Sequence, residues 1–438
     1  MTLTIFKNNM IPELYEHQKR IIQEDKKWTG LFLGTGSAKT RTALEMAEGF
    51  TFIITPKQQR DDRTWESNRD KFGLVLNMEV RSKEEVRRDW DILRPADTVI
   101  IDECHKVLGV TADTRQRKGI QIPKTSQIFE AVFNYLQKYP PERLYLCSAT
   151  PISNPMNLWA IAKLLNIHWD FFAFRQKYYV EIRMGQRRIW IAKKDKETKD
   201  KMAYIIKKLG YVGSLNDFFD VPEQTHKEVF VELTKEQELA LKKLNTEEAD
   251  PLVRRARQRT IENGILYGKK VESRGNVDIM SNETRVFPSQ KIDYILEKAL
   301  EFPKLLVFAN YTAQINEIEK ALKKEGYTVS TLTGKTKDRT FIKKVDESTE
   351  PHIIIAQSSI SSGYELPSFP CVIFASKSWQ YTDYAQGLGR VLRSNKLKKN
   401  LYIHLLVKGV DSDCHDAIMS GSDFQERLQL DSDIDISI

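Results

Sequence analysis

The 438-residue chain has 41% hydrophobic residues, 29% charged residues and a net charge of +8 at pH 7. This composition is typical of a globular protein with room for two or three domains. No apolar run reaches the ~18 residues that span a membrane, and the N-terminus lacks a signal peptide's apolar core. The four cysteines are far apart and form no CxxC pair, which argues against a disulfide framework or a zinc site. We therefore expect a cytoplasmic protein without a membrane partner; the charge is compatible with a polyanion.

Short, β-branched apolar runs alternate with amphipathic segments in two parts of the chain. Continuous apolar strands are typical of parallel sheets that are covered on both faces. The sequence therefore predicts two α/β blocks. Their strand candidates are TGLFL, TFIIT, DTVIID and RLYLCSAT within the first 150 residues, and KLLVFAN, HIIIAQ, CVIFAS and LYIHLLV after residue 300.

The stretch GLFLGTGSAKT (30–40) is close to a phosphate-binding loop. A strand ends at Leu33, a glycine-rich turn follows, and a helix begins near Lys39. In such a loop the backbone N–H groups cradle an anion, Lys39 reaches the β- and γ-phosphates, and the hydroxyl of Thr40 can ligate Mg²⁺. The predicted nucleotide contacts are Gly34, Thr35, Gly36, Ser37, Ala38, Lys39 and Thr40.

Ala38 stands where that loop normally has its last glycine. The extra methyl group removes no backbone donor, and we expect it to be tolerated unless residue 38 needs a positive φ. The alternative is a glycine-rich turn before a core helix, with no nucleotide.

The second motif is TVIIDECH, about sixty residues further on. Asp102 and Glu103 close an apolar strand, where two adjacent acids are costly unless a metal or a positive partner is present. Asp102 can hold Mg²⁺ through water, and Glu103 can orient the attacking water. We expect His105 to link this site to the rest of the domain.

The middle of the chain, 169–285, is charged and mostly helical in pattern. A hairpin is predicted near 178–194, turning at Met184-Gly185; a structural role is favoured over a duplex contact or wedge. The run VRRARQRT (253–260) is interpreted as a solvated helix face, and the acidic tail DSDIDISI as a poorly ordered end.

Together these motifs resemble superfamily 2 helicases and translocases, in which DECH is a variant of the DEAD/DEAH box. The segment CSATPISNPMNLWAIAKLLN resembles the coupling motif and extension of the Swi/Snf-type translocases, and YAQGLGRVLRSNK resembles motif VI. The resemblance covers about 400 residues. The chain lacks the paired arginines of eukaryotic remodellers, so a compact bacterial or phage member is the closer match.

The resemblance implies roles for further residues. LYEHQ makes Gln18 the adenine contact, and Ser148, Ala149 and Thr150 join His105 in coupling. Gln386, Arg390 and Arg393 are implied to act in hydrolysis, the arginines from one helical face if that segment is helical. Trp379 is favoured as core or interface packing over a base-stacking residue. The implied nucleic-acid contacts are Pro56, Lys57, Thr333, Gly334, Ser358 and Ser359.

We therefore expect an α/β protein of two RecA-like lobes with helical and hairpin insertions. The predicted division is 1–168 for the first lobe, 169–285 for an extension that runs into the second lobe near 224, and 286–438 for the second lobe with its acidic tail. The predicted function is an ATP- and Mg²⁺-dependent DNA translocase or helicase, with double-stranded DNA favoured and a monomer sufficient. The alternatives are an RNA-dependent ATPase and a catalytically impaired nucleic-acid-binding module.

Overall fold

The structure is a computed structural model that describes residues 11–184, 187–274, 277–336, 338–360, 364–392 and 399–420. The chain divides into two compact units, Met1–Phe219 and Asp220–Ile438. Within the described ranges, no helix combines the length and the apolarity needed to cross a membrane.

The first unit has a six-stranded sheet in the order β10-β1-β7-β4-β2-β3, with every neighbouring pair parallel. Two antiparallel hairpins, β5–β6 and β8–β9, lie outside this sheet. The strands of this unit are β1 (Trp28–Leu33), β2 (Thr51–Thr55), β3 (Met78–Ser82), β4 (Thr98–Ile101), β5 (Val110–Arg117), β6 (Ile120–Thr125), β7 (Arg143–Cys147), β8 (Tyr179–Met184), β9 (Arg187–Ala192) and β10 (Gly210–Gly213).

Helices connect these strands, as parallel strands require. They are α1 (Glu16–Glu24), α2 (Lys39–Glu45), α3 (Lys57–Asp61), α4 (Thr64–Lys71), α5 (Lys83–Asp89), α6 (Gln127–Lys138), α7 (Pro155–Leu164), α8 (Phe171–Tyr178) and α9 (Lys196–Leu209).

The strands of the first unit pack on both faces. Along β2, Phe52 and Ile54 belong to one apolar core and Ile53 to another, because successive side chains point to opposite faces of a sheet. All five residues of β2 are buried. The prediction from uninterrupted apolar runs is therefore confirmed.

The second unit repeats the architecture with a parallel six-stranded sheet in the order β11-β18-β17-β14-β16-β15. Its strands are β11 (Thr225–Phe230), β12 (Ile265–Arg274), β13 (Val277–Val286), β14 (Lys304–Ala309), β15 (Val329–Leu332), β16 (His352–Gln357), β17 (Cys371–Phe374) and β18 (Leu401–Leu406), of which β12 and β13 form a separate hairpin. Its helices are α10 (Lys235–Glu247), α11 (Pro251–Glu262), α12 (Gln290–Glu301), α13 (Thr312–Lys324), α14 (Phe341–Glu347), α15 (Tyr381–Leu388) and α16 (Val410–Met419).

The predicted fold class is confirmed by these two parallel α/β sheets with their helical and hairpin insertions. The proposed three-part division stays a prediction; the structure places β10, from the middle segment, inside the first sheet. A side chain at Gly210 would collide with the backbone of Gly30, so the close pairing of β10 with β1 requires glycine there. The acidic tail lies outside the described residues, as does Gly185 of the predicted hairpin turn.

Candidate nucleotide and nucleic-acid sites

The glycine-rich loop follows β1 and is closed on one side by β10. The amide of Gly34 donates to the carbonyl oxygen of Gly213 at 2.7 Å. The hydroxyl of Ser37 donates back to the carbonyl oxygen of Gly34 at 2.5 Å. The loop is therefore held at both of these residues, and Thr35, Gly36, Lys39 and Thr40 are half-buried rather than packed away.

Ala38 has φ 60° and ψ 28°, which is the left-handed region. Alanine is expected to be tolerated unless residue 38 needs a positive φ, and the structure has a positive φ there. This conformation costs an L-residue roughly 1–2 kcal/mol and costs glycine nothing. The loop therefore carries backbone strain at Ala38. Residue 38 begins α2 directly, since the amide of Thr42 donates to the carbonyl oxygen of Ala38 at 3.2 Å.

Gln18 is fully buried under the same loop. Its side-chain nitrogen donates to the carbonyl oxygen of Ala38 at 3.3 Å and to the hydroxyl of Thr42 at 3.2 Å. Its side-chain oxygen accepts from the amide of Tyr15 at 3.0 Å. These hydrogen bonds show that Gln18 supports the loop from below. Its contact with adenine stays a prediction.

An aromatic cluster beside the loop was missed at the sequence level. His17 stacks on Phe218 with ring centroids 4.2 Å apart, and Tyr15 meets Phe219 edge-on at 4.6 Å. A ring nitrogen of His17 lies 3.0 Å from the carbonyl oxygen of Ser37. The signal was present in GYVGSLNDFF, whose glycines and aromatic residues interrupt the charged middle segment.

The two acids of DECH lie at the carboxyl end of β4 and are 6% and 7% exposed. Asp102 accepts three hydrogen bonds: from the hydroxyl of Thr55 at 3.1 Å, from the indole N–H of Trp65 at 3.3 Å and from the amide of Glu103 at 2.9 Å. Burial, and secondly the charge of Glu103, raise the pKa of Asp102 to about 6, while Lys39 opposes them. The pair thus carries negative charge in a site that favours a cation.

Thr40 and Asp102 fit a magnesium ion that is also bound by phosphates. The described residues contain no group of three or more His, Cys, Asp or Glu able to hold a metal ion alone. Mg²⁺ is commonly bound through one or two carboxylates together with substrate phosphates and waters. The donor set here, one oriented carboxylate and one hydroxyl, has that character.

His105 connects DECH to the coupling segment after β7. Its Nδ1 lies 3.0 Å from the hydroxyl of Ser148 and 3.4 Å from the carboxylate of Glu103. The hydroxyl of Ser148 also accepts from the amide of Thr150 at 3.1 Å. Burial lowers the pKa of His105 to about 4, so the ring is neutral at pH 7. The buried hydroxyl of Thr150 finds no hydrogen-bond partner in the described part of the chain.

The carboxyl end of β2 reaches the same carboxylate, and the predicted strand contacts follow in the next segment. The hydroxyl of Thr55 lies 3.1 Å from Asp102 and 3.3 Å from the side-chain oxygen of Gln59. Pro56 is buried, while Lys57 is exposed at the start of α3. Of the two predicted strand contacts in this segment, Lys57 is the one with an accessible side chain.

In the second unit, Thr333 and Gly334 form a turn after β15, and Ser358 and Ser359 follow β16. The amide of Thr336 donates to the carbonyl oxygen of Thr333 at 2.9 Å, and Gly334 is exposed. Ser358 is buried and donates to the carbonyl oxygen of Ser376 at 3.0 Å, whereas Ser359 is exposed. These two pairs lie at the carboxyl ends of neighbouring strands.

Gln386 and Arg390 are buried in the second unit. The guanidinium of Arg390 donates to the carbonyl oxygens of Gln386 at 2.9 Å and Tyr364 at 2.8 Å. The condition for Arg390 and Arg393 to share a helical face is not met at Arg390, because α15 ends at Leu388 and Arg390 lies in the turn beyond it. Arg393 lies outside the described residues.

The interpretation of 253–260 as a solvated face is wrong for Arg259. This side chain is 0% exposed, donates to the carbonyl oxygen of Lys377 at 2.9 Å and stacks on Trp379 at 4.3 Å. Nearby, Lys291 donates to the carboxylate of Asp411 at 2.7 Å. A network of buried charges therefore ties α11 to α12, to α16 and to the segment after β17, and Trp379 packs against the core of this unit.

Comparison with known sequences assigns part of the second unit. Residues 289–395 match the family described as Helicase conserved C-terminal domain. That segment contains Thr333, Gly334, Ser358, Ser359, Gln386 and Arg390. The match supports a helicase-type ATPase and hence the use of ATP.

Two individual proteins are similar over different extents. ATP-dependent RNA helicase DBP3 of Yarrowia lipolytica is 25% identical over 138 residues, which are 30% of this chain and 26% of that protein. The chain thus spans about a quarter of that relative's length. The solved Sulfolobus solfataricus SWI2/SNF2 ATPase core in complex with dsDNA aligns over 97% of both chains at 17% identity, with a TM-score of 0.38.

Proposed function

We propose that this protein is an ATP-dependent DNA translocase or helicase that couples ATP hydrolysis to movement along DNA, with duplex DNA as the track. One observation carries the proposal. Thr55, which precedes the predicted nucleic-acid contacts Pro56 and Lys57, donates to Asp102, and Asp102 accepts from the amide of Glu103. His105 then links Glu103 to Ser148 of the coupling segment. A change at the acids is thereby transmitted to both segments.

The loop and the two acids of DECH have different proposed roles in ATP hydrolysis. Lys39 would supply positive charge to the phosphates, and Thr40 and Asp102 would hold Mg²⁺, which would supply further charge neutralisation there. Glu103 orients the attacking water. Gln386, Arg390 and Arg393 act in hydrolysis on the strength of their resemblance to motif VI, and one chain carries the full set.

The grip on nucleic acid is proposed to be independent of base sequence. Lys57, Thr333, Gly334, Ser358 and Ser359 offer hydroxyls, backbone amides and one ammonium. Such groups suit phosphate contacts, which position a strand without reading its bases. Pro56 has no N–H to donate, and its proposed role is to place Lys57 at the start of α3.

An RNA-dependent ATPase is the second candidate, favoured by the similarity of 138 residues to an RNA helicase. A catalytically impaired binding module is the third, since Ala38 occupies a strained position. The geometry weighs against the third, because Asp102 accepts three hydrogen bonds and the loop is held at Gly34 and Ser37.

Steady-state ATP hydrolysis tests the proposal, measured with no polymer, single-stranded DNA, duplex DNA and duplex RNA at low salt. Strongest stimulation by duplex DNA is expected. Stimulation by RNA alone would replace the proposal with the second candidate, and ATP binding without turnover would replace it with the third.

A further inference from the structure

Two antiparallel hairpins of the first unit carry a marked excess of basic over acidic residues. We define the first ribbon as residues 110–125 and the second ribbon as residues 179–184 and 187–194, since 185–186 lie outside the described residues. Nine basic and two acidic residues in these segments give a net charge of +7, and the whole chain has +8. The basic residues are Arg115, Arg117, Lys118, Lys124, Arg183, Arg187, Arg188, Lys193 and Lys194. About seven per cent of the residues thus carry a net charge close to that of the whole chain.

The two ribbons form one surface, because Arg175 bridges them. Its guanidinium donates to the carbonyl oxygen of Ala112 in the first ribbon at 3.0 Å. The same group lies over the ring of Trp190 in the second ribbon, 3.9 Å from the ring centroid. A planar guanidinium can make both contacts at once.

Both ribbons present exposed cations that the protein only partly neutralises. In the first, Lys118 and Gly119 have φ values of 48° and 79°, as in the tight turns of hairpins, which brings Arg117 and Lys118 to the exposed tip. In the second, Arg183 lies directly opposite Arg188, and both approach the single carboxylate of Glu181 at 4.0 and 3.4 Å. Like charges facing each other across a ribbon are destabilising on their own.

Each ribbon begins next to a segment that is proposed to act in ATP hydrolysis or in coupling. The first ribbon begins at Val110, shortly after DECH, and the carbonyl oxygen of Leu108 accepts from the side chain of Asn157 at 3.4 Å. The second begins at Tyr179, whose hydroxyl lies 3.4 Å from the side chain of Asn154 in the extension after Thr150. A load on either ribbon is therefore applied next to the coupling segment.

We propose that the two ribbons form a second DNA-binding surface, which grips the phosphate backbone of duplex DNA outside the helicase motifs. This proposal rests on the proposed function. A two-stranded ribbon fits the major groove of B-form DNA, whereas the major groove of an RNA duplex is too deep and narrow. The surface keeps the chain bound to the duplex while the residues of the helicase motifs release the DNA and bind it again.

The test is the salt dependence of duplex-DNA binding by the full chain without nucleotide. The variant carries Arg117→Gln, Lys118→Asn, Arg188→Gln and Lys194→Gln; asparagine suits the left-handed position 118. Each lost phosphate contact lowers the slope of log affinity against log salt by about 0.9, so a decrease of roughly 3 to 4 is expected. A matched control replaces four exposed lysines of the second unit, Lys242, Lys320, Lys324 and Lys343, by glutamine.

A slope equal to that of the control would overturn the proposal and leave the ribbons as a surface for another partner, such as an acidic protein. Wild-type protein that does not bind duplex DNA at low salt would overturn it as well. The double variant Arg117→Gln/Lys118→Asn, confined to one exposed tip, repeats the test if the quadruple variant does not fold. Failure of the proposed function is separate, because it shows as ATP hydrolysis that no polymer stimulates while the salt slope is still measurable.

Discussion

Nδ1 of His105 and the hydroxyl of Ser148 lie 3.0 Å apart, and this contact joins the segment after β4 to the segment after β7. The ring is neutral at pH 7, because burial lowers its pKa to about 4. The pair is thus a neutral hydrogen bond between the acids and the coupling segment, and it does not depend on a charge.

Removing this hydrogen bond should uncouple ATP turnover from nucleic acid. Ser148→Ala is expected to lower the stimulation by duplex DNA about 10-fold, the size of a typical coupling between sites, while basal hydrolysis changes little. His105→Asn is the matched control for His105→Ala, since its amide can occupy the position of Nδ1. Equal losses of basal and stimulated rates would show that the contact only supports the acids.

Ala38→Gly should relieve backbone strain. Because residue 38 has φ 60°, glycine is expected to raise the free energy of unfolding by up to about 1 kcal/mol and to preserve ATP binding. Ala43→Gly in α2 is the control, where the same substitution should destabilise by about 1 kcal/mol or more. Thermal unfolding measures the change in stability, and nucleotide titration measures ATP binding. An A38G protein less stable than the wild type would contradict the claim that Ala38 is strained.

Trp65→Phe should weaken the use of magnesium without changing the fold. The indole N–H that orients Asp102 at 3.3 Å is lost, and the loss of such a supporting contact typically costs 10–100-fold in metal affinity. We expect the Mg²⁺ concentration for half-maximal hydrolysis to rise about 10-fold, with a nearly unchanged rate at saturation. Trp28→Phe is the control, because its indole donates instead to the carbonyl oxygen of Pro141. A saturated rate that falls together with the melting temperature would make Trp65 a packing residue only.

The second unit should lose stability in acid through its buried histidines. His404 and His415 are buried and contact each other between β18 and α16, and burial lowers the pKa of both. Below pH 6.5 these histidines become protonated in the unfolded chain, whereas in the folded state they stay neutral until a lower pH is reached. Stability therefore falls as the pH drops below 6.5, by at most about 1.4 kcal/mol per pH unit for His404, whose pKa is lowered strongly.

His404→Phe tests this linkage, because phenylalanine can keep the stacking on Phe374. The melting temperature of the variant should depend less on pH between 6.5 and 5 than that of the wild type. The exposed His168 provides the control substitution, His168→Phe. An unchanged slope would remove His404 from the acid response.

The sequence predicts the sheets and the grouping of the first-unit motifs well, for one physical reason. Runs such as TFIIT are buried at every position because both faces of the sheet are covered, and residues at the carboxyl ends of parallel strands meet at one edge. Thr55, Asp102 and Ser148 are thereby collected in the first unit from three separate strands.

Other features depend on tertiary contacts that no local pattern contains. Strand β10 has only four residues, GYVG, and is recognisable only once Gly210 packs on Gly30. The left-handed backbone of Ala38 and the end of α15 before Arg390 are likewise imposed by their surroundings. The first ribbon is marked by Lys118-Gly119, but its mixed polar strands lack the apolar alternation that predicts a hairpin.

Movement along duplex DNA is the central claim, and displacement of a third strand from a DNA triplex tests it most directly. The wild-type chain with ATP and Mg²⁺ should release the third strand, and release should stop when ATP is omitted. Glu103→Gln should bind ATP and DNA but release nothing, because the water-orienting carboxylate is gone. ATP hydrolysis stimulated by duplex DNA without any strand release would contradict translocation.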